Sequence, residues 1–362
     1  MWPTPIVYFY SINEKKRYMP TTSKLFLWTR RTVTAVVIFI VALALIGALF
    51  QAIGNWRDAR RFPQKGKLVQ AGSVKLNIDC SGTREKGKPI VVLESAGGSP
   101  GRVWAKVQPE IAKFARVCSY DRAGLGWSEP AATTRTRQQE AEELKLLLAA
   151  AGEVGPYVMV GVSQGGLTVQ AFAYKYPDDV AGVVLVDASH PDTDKRTVEV
   201  LSKPEAQQYI ALNKLLKSDS FKFQTVWSAR LGLSRLLTPA KDKLDEELNY
   251  LSWQMKAIDT NFAEYKLYQD SADKIRMTGN LGDKPLIVLT GGKVDEGFYT
   301  SPADVAATQS LWINEIQKGM AQLSTRGKQV IVPDSGHMIP FDKPSAVVSA
   351  IREVWEQSIR QQ

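Results

Sequence analysis

Tyr157-Val158-Met159-Val160-Gly161-Val162-Ser163-Gln164-Gly165-Gly166 is the stretch that decides the fold. Tyr157 to Val160 is a short apolar, β-branched run, as a buried strand requires. Gly161 to Gly165 spells G-x-S-x-G. Leu167 to Tyr176 has the composition of a helix, and Pro177 closes it. Strand, tight glycine-flanked turn and helix together are the context in which that motif presents a nucleophilic serine. The reason is steric: a serine in so sharp a turn tolerates no bulky neighbours, and Gly161 and Gly165 give clearance. Its hydroxyl then stands at the positive end of the following helix.

Outward from this turn, the same alternation repeats. Leu68–Ala71 and Val74–Cys80, separated by Gly72-Ser73, read as a hairpin. Pro89–Leu93 is a continuous apolar strand leading into Glu94-Ser95-Ala96-Gly97-Gly98. A helix is predicted over Val103–Phe114, a strand over Arg116–Tyr120 and an amphipathic helix over Thr133–Ala151. Val180–Val186, Pro285–Leu289 and Gln329–Val332 are further strands. Helices are expected over Ala303–Met320 and Ser345–Gln357. Strands alternating with helices argue an α/β class protein, with a mostly parallel sheet covered on both faces. Between about Pro191 and Asp283 strand patterns vanish, and helical segments such as Glu205–Leu216 and Leu244–Lys256 take over. This block, 191–283, reads as an inserted helical cap on a core formed by 68–190 and 284–362.

The chain has 362 residues and a formal charge of +9. Residues 1–67 hold eleven Lys/Arg and two acids, whereas the remainder holds 35 of each sign. The basicity therefore belongs to the N-terminal segment, and a nucleic-acid partner, which needs a basic face on the folded domain, loses support. Thr32 to Trp56 is 25 residues without a charge, about 37 Å as a helix against a ~30 Å hydrocarbon layer. Trp28 and Trp56 bracket it at interfacial positions. The expected order is a basic tail (1–31), a transmembrane helix (32–56) and a basic linker (57–67). A cleaved signal peptide competes with this, but the apolar run is long and no clean A-x-A site follows it. Lysine and arginine counts on the two flanks favour a cytoplasmic N-terminus by a small margin, placing the large domain outside the cytoplasm. Met19 is a second candidate start, giving a short basic segment before the anchor.

A serine hydroxyl needs a base within hydrogen-bond reach, and the base needs an acid to hold its tautomer. The chain has two histidines. His337 follows the last strand, in Asp334-Ser335-Gly336-His337. His190 follows Val180–Val186 and suits a structural or cap-hinge place, with substrate contact as the alternative. No metal cluster, phosphate loop or dinucleotide fingerprint is present, so neither cofactor nor metal is expected.

The stretches Tyr120-Asp121-Arg122-Ala123-Gly124-Leu125-Gly126-Trp127-Ser128, GVSQGG, LVDASHP and DSGHMIP make residues 68–357 resemble the α/β-hydrolase superfamily, and within it bacterial membrane-anchored members of unassigned substrate. The resemblance implies an eight-stranded sheet with a helical cap after the sixth strand. It implies the chain order serine, acid, histidine, with the acid after a later strand. That selects Asp295, following Pro285–Leu289, for a Ser163–Asp295–His337 triad; Asp187 at the end of the preceding strand and Glu296 are the alternatives, and Asp334 reads as a turn residue. The two oxyanion donors would be the N–H groups of Gln164 and Gly97, with Ala96 the alternative to the latter. Where the family has His-Gly, this chain has Glu94-Ser95 or Ser95-Ala96. Asp121 and Arg122 are expected to be structural. Strands bearing Cys80 and Cys118 are antiparallel neighbours in this fold, so a Cys80–Cys118 disulfide is one expectation and two buried thiols the other.

Serine at 163 argues against epoxide hydrolysis and dehalogenation, which in this superfamily use a carboxylate nucleophile. The expected function is a membrane-anchored serine hydrolase, carboxylesterase- or lipase-like, acting on a small-molecule acyl substrate. An aminopeptidase, amidase or acyltransferase on the same triad, or a non-catalytic ligand-binding protein, are the alternatives. Trp227, Trp253, Phe262 and Tyr268 in the cap suit an apolar acyl or aromatic group.

Overall fold

The structure, a computed structural model, describes residues 21–133, 135–276, 279–294 and 301–360. It opens with one long helix, α1 (Thr21–Arg61). The helix runs past the uncharged stretch at both ends, so the start of the expected linker is helical. Its window of mean hydropathy 3.0 is entirely unburied, and the helix is long and apolar enough to cross a membrane.

The hairpin strands β1 (Lys67–Ala71) and β2 (Val74–Ser81) follow, then β3 (Ile90–Glu94). The helix expected over Val103–Phe114 is broken into a 3₁₀ turn (Gly101–Trp104) and the short α2 (Gln108–Ile111). Pro109 explains the break: it has no N–H to give and is accommodated only in a helix's first turn. Next come β4 (Val117–Tyr120), α3 (Arg137–Ala151), β5 (Tyr157–Val162), α4 (Gly165–Lys175) and β6 (Val180–Val186). Helix α3 begins at Arg137 because Thr136 and Gln139 form a reciprocal capping box, and it ends at Gly152 in left-handed conformation.

Among the described residues six consecutive helices make the cap: α5 (Thr193–Val200), α6 (Lys203–Leu216), α7 (Asp219–Arg230), α8 (Leu233–Leu237), α9 (Lys243–Ser252) and α10 (Met255–Arg276). The core resumes with β7 (Leu286–Gly291) and α11 (Pro302–Ser310). A π-helical turn (Leu311–Gln317) carries on into α12 (Lys318–Ala321). The chain then runs through β8 (Gly327–Val332), α13 (Ile339–Asp342) and α14 (Pro344–Ile359).

The eight strands form one sheet in the order β1-β2-β4-β3-β5-β6-β7-β8. Pairs β1–β2 and β2–β4 are antiparallel and the rest parallel. The central strands β3, β5 and β7 are buried along their whole length, and β6 at every residue but the half-buried Ala181, as strands covered on both faces must be. Val91, Val160, Val184 and Leu289 face the layer containing α2 and α14; Val92, Met159, Val183 and Val288 face the one containing α3, α4 and α12. The alternation along each strand thus serves both cores at once. In this arrangement β5 is central, and all parallel strands end at the edge that carries the cap.

Cys80 and Cys118 pair directly across β2 and β4, their Cα atoms 4.1 Å apart, and are disulfide-bonded. The bridge closes a loop of 38 residues, which on chain-entropy grounds stabilises the fold by about 4 kcal/mol. Guanidinium unfolding of the Cys80→Ser, Cys118→Ser double variant is expected to shift to a lower midpoint by a corresponding amount. A midpoint equal to that of the parent would remove the bridge from the stability of the fold.

Candidate active site

Ser163 sits between β5 and α4 at φ 53°, a left-handed backbone that costs a non-glycine residue energy. The flanking glycines permit it. A Cβ at Gly161 would lie 2.6 Å from the Gly165 carbonyl oxygen, and one at Gly165 would strike the Ser95 carbonyl. The turn is held by its neighbour: Ser163 N–H donates to the Val186 carbonyl at 3.1 Å, and Ser189 N–H to the Ser163 carbonyl at 2.9 Å.

His337, in the loop between β8 and α13, brings its Nε2 to 3.0 Å from Ser163 Oγ. Its Nδ1 stands 2.7 Å from Asp187 Oδ2, at the end of β6. The acid on the imidazole is therefore Asp187, the alternative in the sequence reading. Asp295 and Glu296 lie outside the described residues. Asp187 is 2% exposed, and both its oxygens are occupied. Its Oδ1 accepts from Gly291 N–H at 2.8 Å and from Trp312 Nε1 at 2.9 Å, leaving Oδ2 for histidine. This fixes the carboxylate as an acceptor with a set orientation. Glycine makes the reach across β7 sterically feasible: a Cβ at Gly291 would come within 2.6 Å of the Gly336 carbonyl, and one at Gly292 within 2.6 Å of Pro333 Cα. The histidine loop thus lies directly on the end of β7 and delivers His337 to the end of β6. Trp312 carried no sequence signal for this role, being 125 residues from Asp187.

Burial works to lower the His337 pKa, but the hydrogen bond and charge of Asp187 outweigh it and raise it above the usual imidazole value. The ring still opens to the cleft, its side chain 48% exposed. That cleft, of about 270 Å³, is lined by Ser163, Gln164, Tyr209, Tyr265, Trp312 and His337 among others. Asp334 makes a surface ion pair with Lys343 at 3.8 Å. His190 closes a local turn: its Nδ1 accepts from Asp192 N–H at 3.1 Å, and its carbonyl from Tyr268 OH at 3.2 Å.

Gly97 packs against Gln164, whose side-chain Oε1 would lie 2.5 Å from a Cβ at that position. The two residues proposed as amide donors are thus neighbours in space. Behind them lies a buried charge cluster that explains the Glu94 departure. Arg122 Nη1 binds Glu94, which also accepts from Tyr120 OH, and donates to the Ser95 carbonyl at 2.9 Å. Arg122 Nη2 donates to the Ala96 carbonyl at 2.8 Å, so one guanidinium holds the loop from below. Its Nε donates to Glu264 Oε1 on α10 at 2.9 Å, and Glu264 Oε2 accepts from Gly98 N–H at 2.9 Å. Arg137 pairs with Glu140 at 2.7 Å and donates to Gln164 Oε1 at 2.5 Å. Burial would raise the Glu264 carboxyl, but Arg122 and Arg137 hold it down at about 2; burial wins at Glu140, raised to about 7. Asp121 accepts from Gly101 N–H at 2.7 Å and Trp127 N–H at 2.9 Å, tying its loop together.

Of the cap aromatics, Trp253 and Phe262 line a second cavity of about 350 Å³ beside Gly98, and Tyr265 lines both cavities. Tyr268 borders the serine cleft, whereas Trp227 is 42% exposed on the outer face.

Residues 88–344 match the family model described as the alpha/beta hydrolase fold, and the chain belongs to that family. It is 25% identical over 265 residues to the uncharacterized protein YqjL of Bacillus subtilis, covering 73% of this chain and 83% of that one. It is 26% identical over 317 residues to "Probable transporter efuK" of Hormonema carpetanum, covering 81% of this chain; it spans only 43% of that protein. Among solved structures, a thermophilic esterase from Thermogutta terrifontis superposes with a TM-score of 0.53 at 21% identity, over 82% of this chain and 99% of that one. A likeness of that degree speaks for the fold.

Proposed function

We propose that this protein is a serine hydrolase of carboxylesterase or lipase type, held at a membrane by α1. The observation that carries the reading is the relay Ser163 Oγ, His337 Nε2 and Nδ1, Asp187 Oδ2, with links of 3.0 and 2.7 Å. Serine Oγ attacks the acyl carbonyl as His337 takes its proton, and Asp187 holds the imidazolium that forms. The oxyanion lies towards the Gln164 N–H and that of Gly97 or Ala96. The imidazolium then protonates the leaving alcohol, and water, deprotonated by the same nitrogen, releases the acid. Asp187 replaces Asp295 in this proposal because the carboxylate at His337 Nδ1 is its own.

The 350 Å³ cavity beside Gly98, walled by Phe221, Trp253, Ile258 and Phe262, suits an apolar acyl chain. Helix α1 supports membrane anchoring, and the Cys80–Cys118 bridge supports an extracytoplasmic place for the domain, since such bridges persist in oxidising compartments. The expected partners are thus an apolar acyl substrate and the membrane.

The test is hydrolysis of p-nitrophenyl esters from acetate to decanoate by the full chain in detergent, beside Ser163→Ala. Loss of about a thousandfold or more in kcat is expected in the variant, with fluorophosphonate labelling of the parent alone. No ester turnover and no labelling of the parent would overturn the reading. Labelling without ester turnover would redirect it to an amide or peptide substrate.

A further inference from the structure

Helix α1 does not stand clear of the folded domain. Its C-terminal third packs on the cap where α7 turns into α8. A Cβ at Gly47 would lie 2.6 Å from the Leu231 carbonyl oxygen, and one at Gly232 would lie 2.6 Å from the Phe50 ring. Further along, Arg235 of α8 forms an ion pair with Asp58, and donates to Asn55 Oδ1 at 3.1 Å and Gln51 Oε1 at 3.4 Å. Arg61 pairs with Glu246 of α9 at 2.6 Å. A small residue, then a polar ladder, lets the two helices meet at close range.

These contacts fix a depth. About twenty helical residues cross a hydrocarbon layer. Counted from the Arg30-Arg31 pair, that layer ends near Gln51, where polar side chains begin. Gly47 and Phe50 therefore lie in its last turn, and the start of α8 lies beside them. Yet α7 and α8 expose large apolar side chains there: Phe223 is 64% exposed, Leu236 63% and Leu237 75%. In water that is an unfavourable surface for a monomeric domain. Arg230, stacked 5.7 Å from the Trp227 ring, adds a cationic group at the same face.

We propose that the α7–α8 face of the cap beds into the headgroup–acyl boundary of the same phospholipid bilayer that α1 spans. The inference rests on reading α1 as a membrane anchor, and it goes beyond it by making the cap a second membrane contact. Leu236 and Leu237 bed at the boundary, Arg230, next to Leu231 at the deeper level of Gly47, snorkels towards the phosphates, and the Arg235–Asp58 pair clamps the cap to the anchor.

Both native cysteines are bridged, so one introduced cysteine is the sole free thiol. The full chain would be reconstituted in phosphatidylcholine–phosphatidylglycerol vesicles, with an environment-sensitive fluorophore on Leu237→Cys, Leu236→Cys, Leu45→Cys or Val154→Cys. Nitroxide lipids then report depth. The probes at 236 and 237 should lose about half their emission to a nitroxide near the headgroup and less to one near the chain end, the depth of an interfacial helix. The probe at 45, within α1, should be quenched by the deep nitroxide. The probe at 154, on the edge of the sheet opposite the cap, should be quenched by neither. Quenching at 45 with none at 236 and 237 would overturn the inference and leave the anchor standing. No quenching at any position would remove the anchor, and the inference with it.

Discussion

Asp187→Asn is expected to lower kcat for ester hydrolysis by about a thousand- to ten-thousandfold while leaving KM within a few-fold, because the histidine would lose the acceptor that fixes its tautomer. Asp187 Oδ2 is the group that meets Nδ1, and its other oxygen is committed to Gly291 and Trp312. An amide at this position can turn its NH₂ to the imidazole and force the proton to the nitrogen that should act as base. The pH profile supplies a second readout. The base works only when neutral, and Asp187 raises its pKa above the usual value, so kcat/KM should climb through a limb above that value as pH rises. In Asp187→Asn the raising influence goes, burial remains, and the limb should move to lower pH. Asp295→Asn is expected to change kcat by less than about threefold, well below the loss at a triad acid. Should Asp295→Asn inactivate and Asp187→Asn not, the assignment would pass to Asp295.

Arg122→Leu is expected to destabilise the protein by about 3–5 kcal/mol, since it removes the cation bound to buried Glu94 and leaves Glu264 with Arg137 alone. Glu94 is fully buried and Glu264 nearly so, and Arg122 binds both. The loss corresponds to roughly 10 °C in melting temperature. Because the same guanidinium holds the Ser95 and Ala96 carbonyls, kcat should fall too, even well below the melt. Lys328→Ala, which breaks an exposed pair with Glu353 at 2.6 Å, should shift stability by less than about 1 kcal/mol. Acid sensitivity follows with its sign. Glu264 is depressed from 4.5 to about 2, so its contribution is complete above 4.5 and is lost as pH falls towards 2. Glu140 is raised to about 7 and works the other way, its contribution shrinking as pH climbs from 4.5 to 7. Thermal melts at pH 3, 5 and 7 on parent and Arg122→Leu would read this; equal melting temperatures for the two proteins would refute the role of the cluster.

Local physics made much of the molecule legible. Buried parallel strands show as unbroken apolar runs, and the serine turn as two glycines at fixed offsets, because those signals lie within a few residues of one another. The cap showed as a change of period between Pro191 and Asp283. The helix expected over Val103–Phe114 breaks before Pro109, a local rule that outweighs apolar spacing. The Glu94 departure from the family pattern had no local meaning at all. Its partners are Tyr120, at the end of the neighbouring strand β4, and Arg122, in the loop just after it, and Glu264, which shares Arg122, comes from the cap, 142 residues beyond Arg122.

By itself the sequence determined an α/β class with a mostly parallel sheet, an apolar N-terminal helix, Ser163 at the strand-to-helix turn and His337 after the last strand; the hydrolase family entered through resemblance. These are properties of contiguous residues, each with its own periodicity or turn chemistry. Only the tertiary structure shows which carboxylate, among the described residues, meets the histidine. Asp187 and Asp295 stand after neighbouring strands, and chain order cannot rank them. The choice rests on the histidine loop lying against Gly291 and Gly292, which lack the side chains that would hold it off, and on a tryptophan from the helix beyond β7 orienting Asp187. The seating of α1 on the cap was likewise invisible, because an ion pair between residues 58 and 235 is made by packing and leaves no trace along the chain.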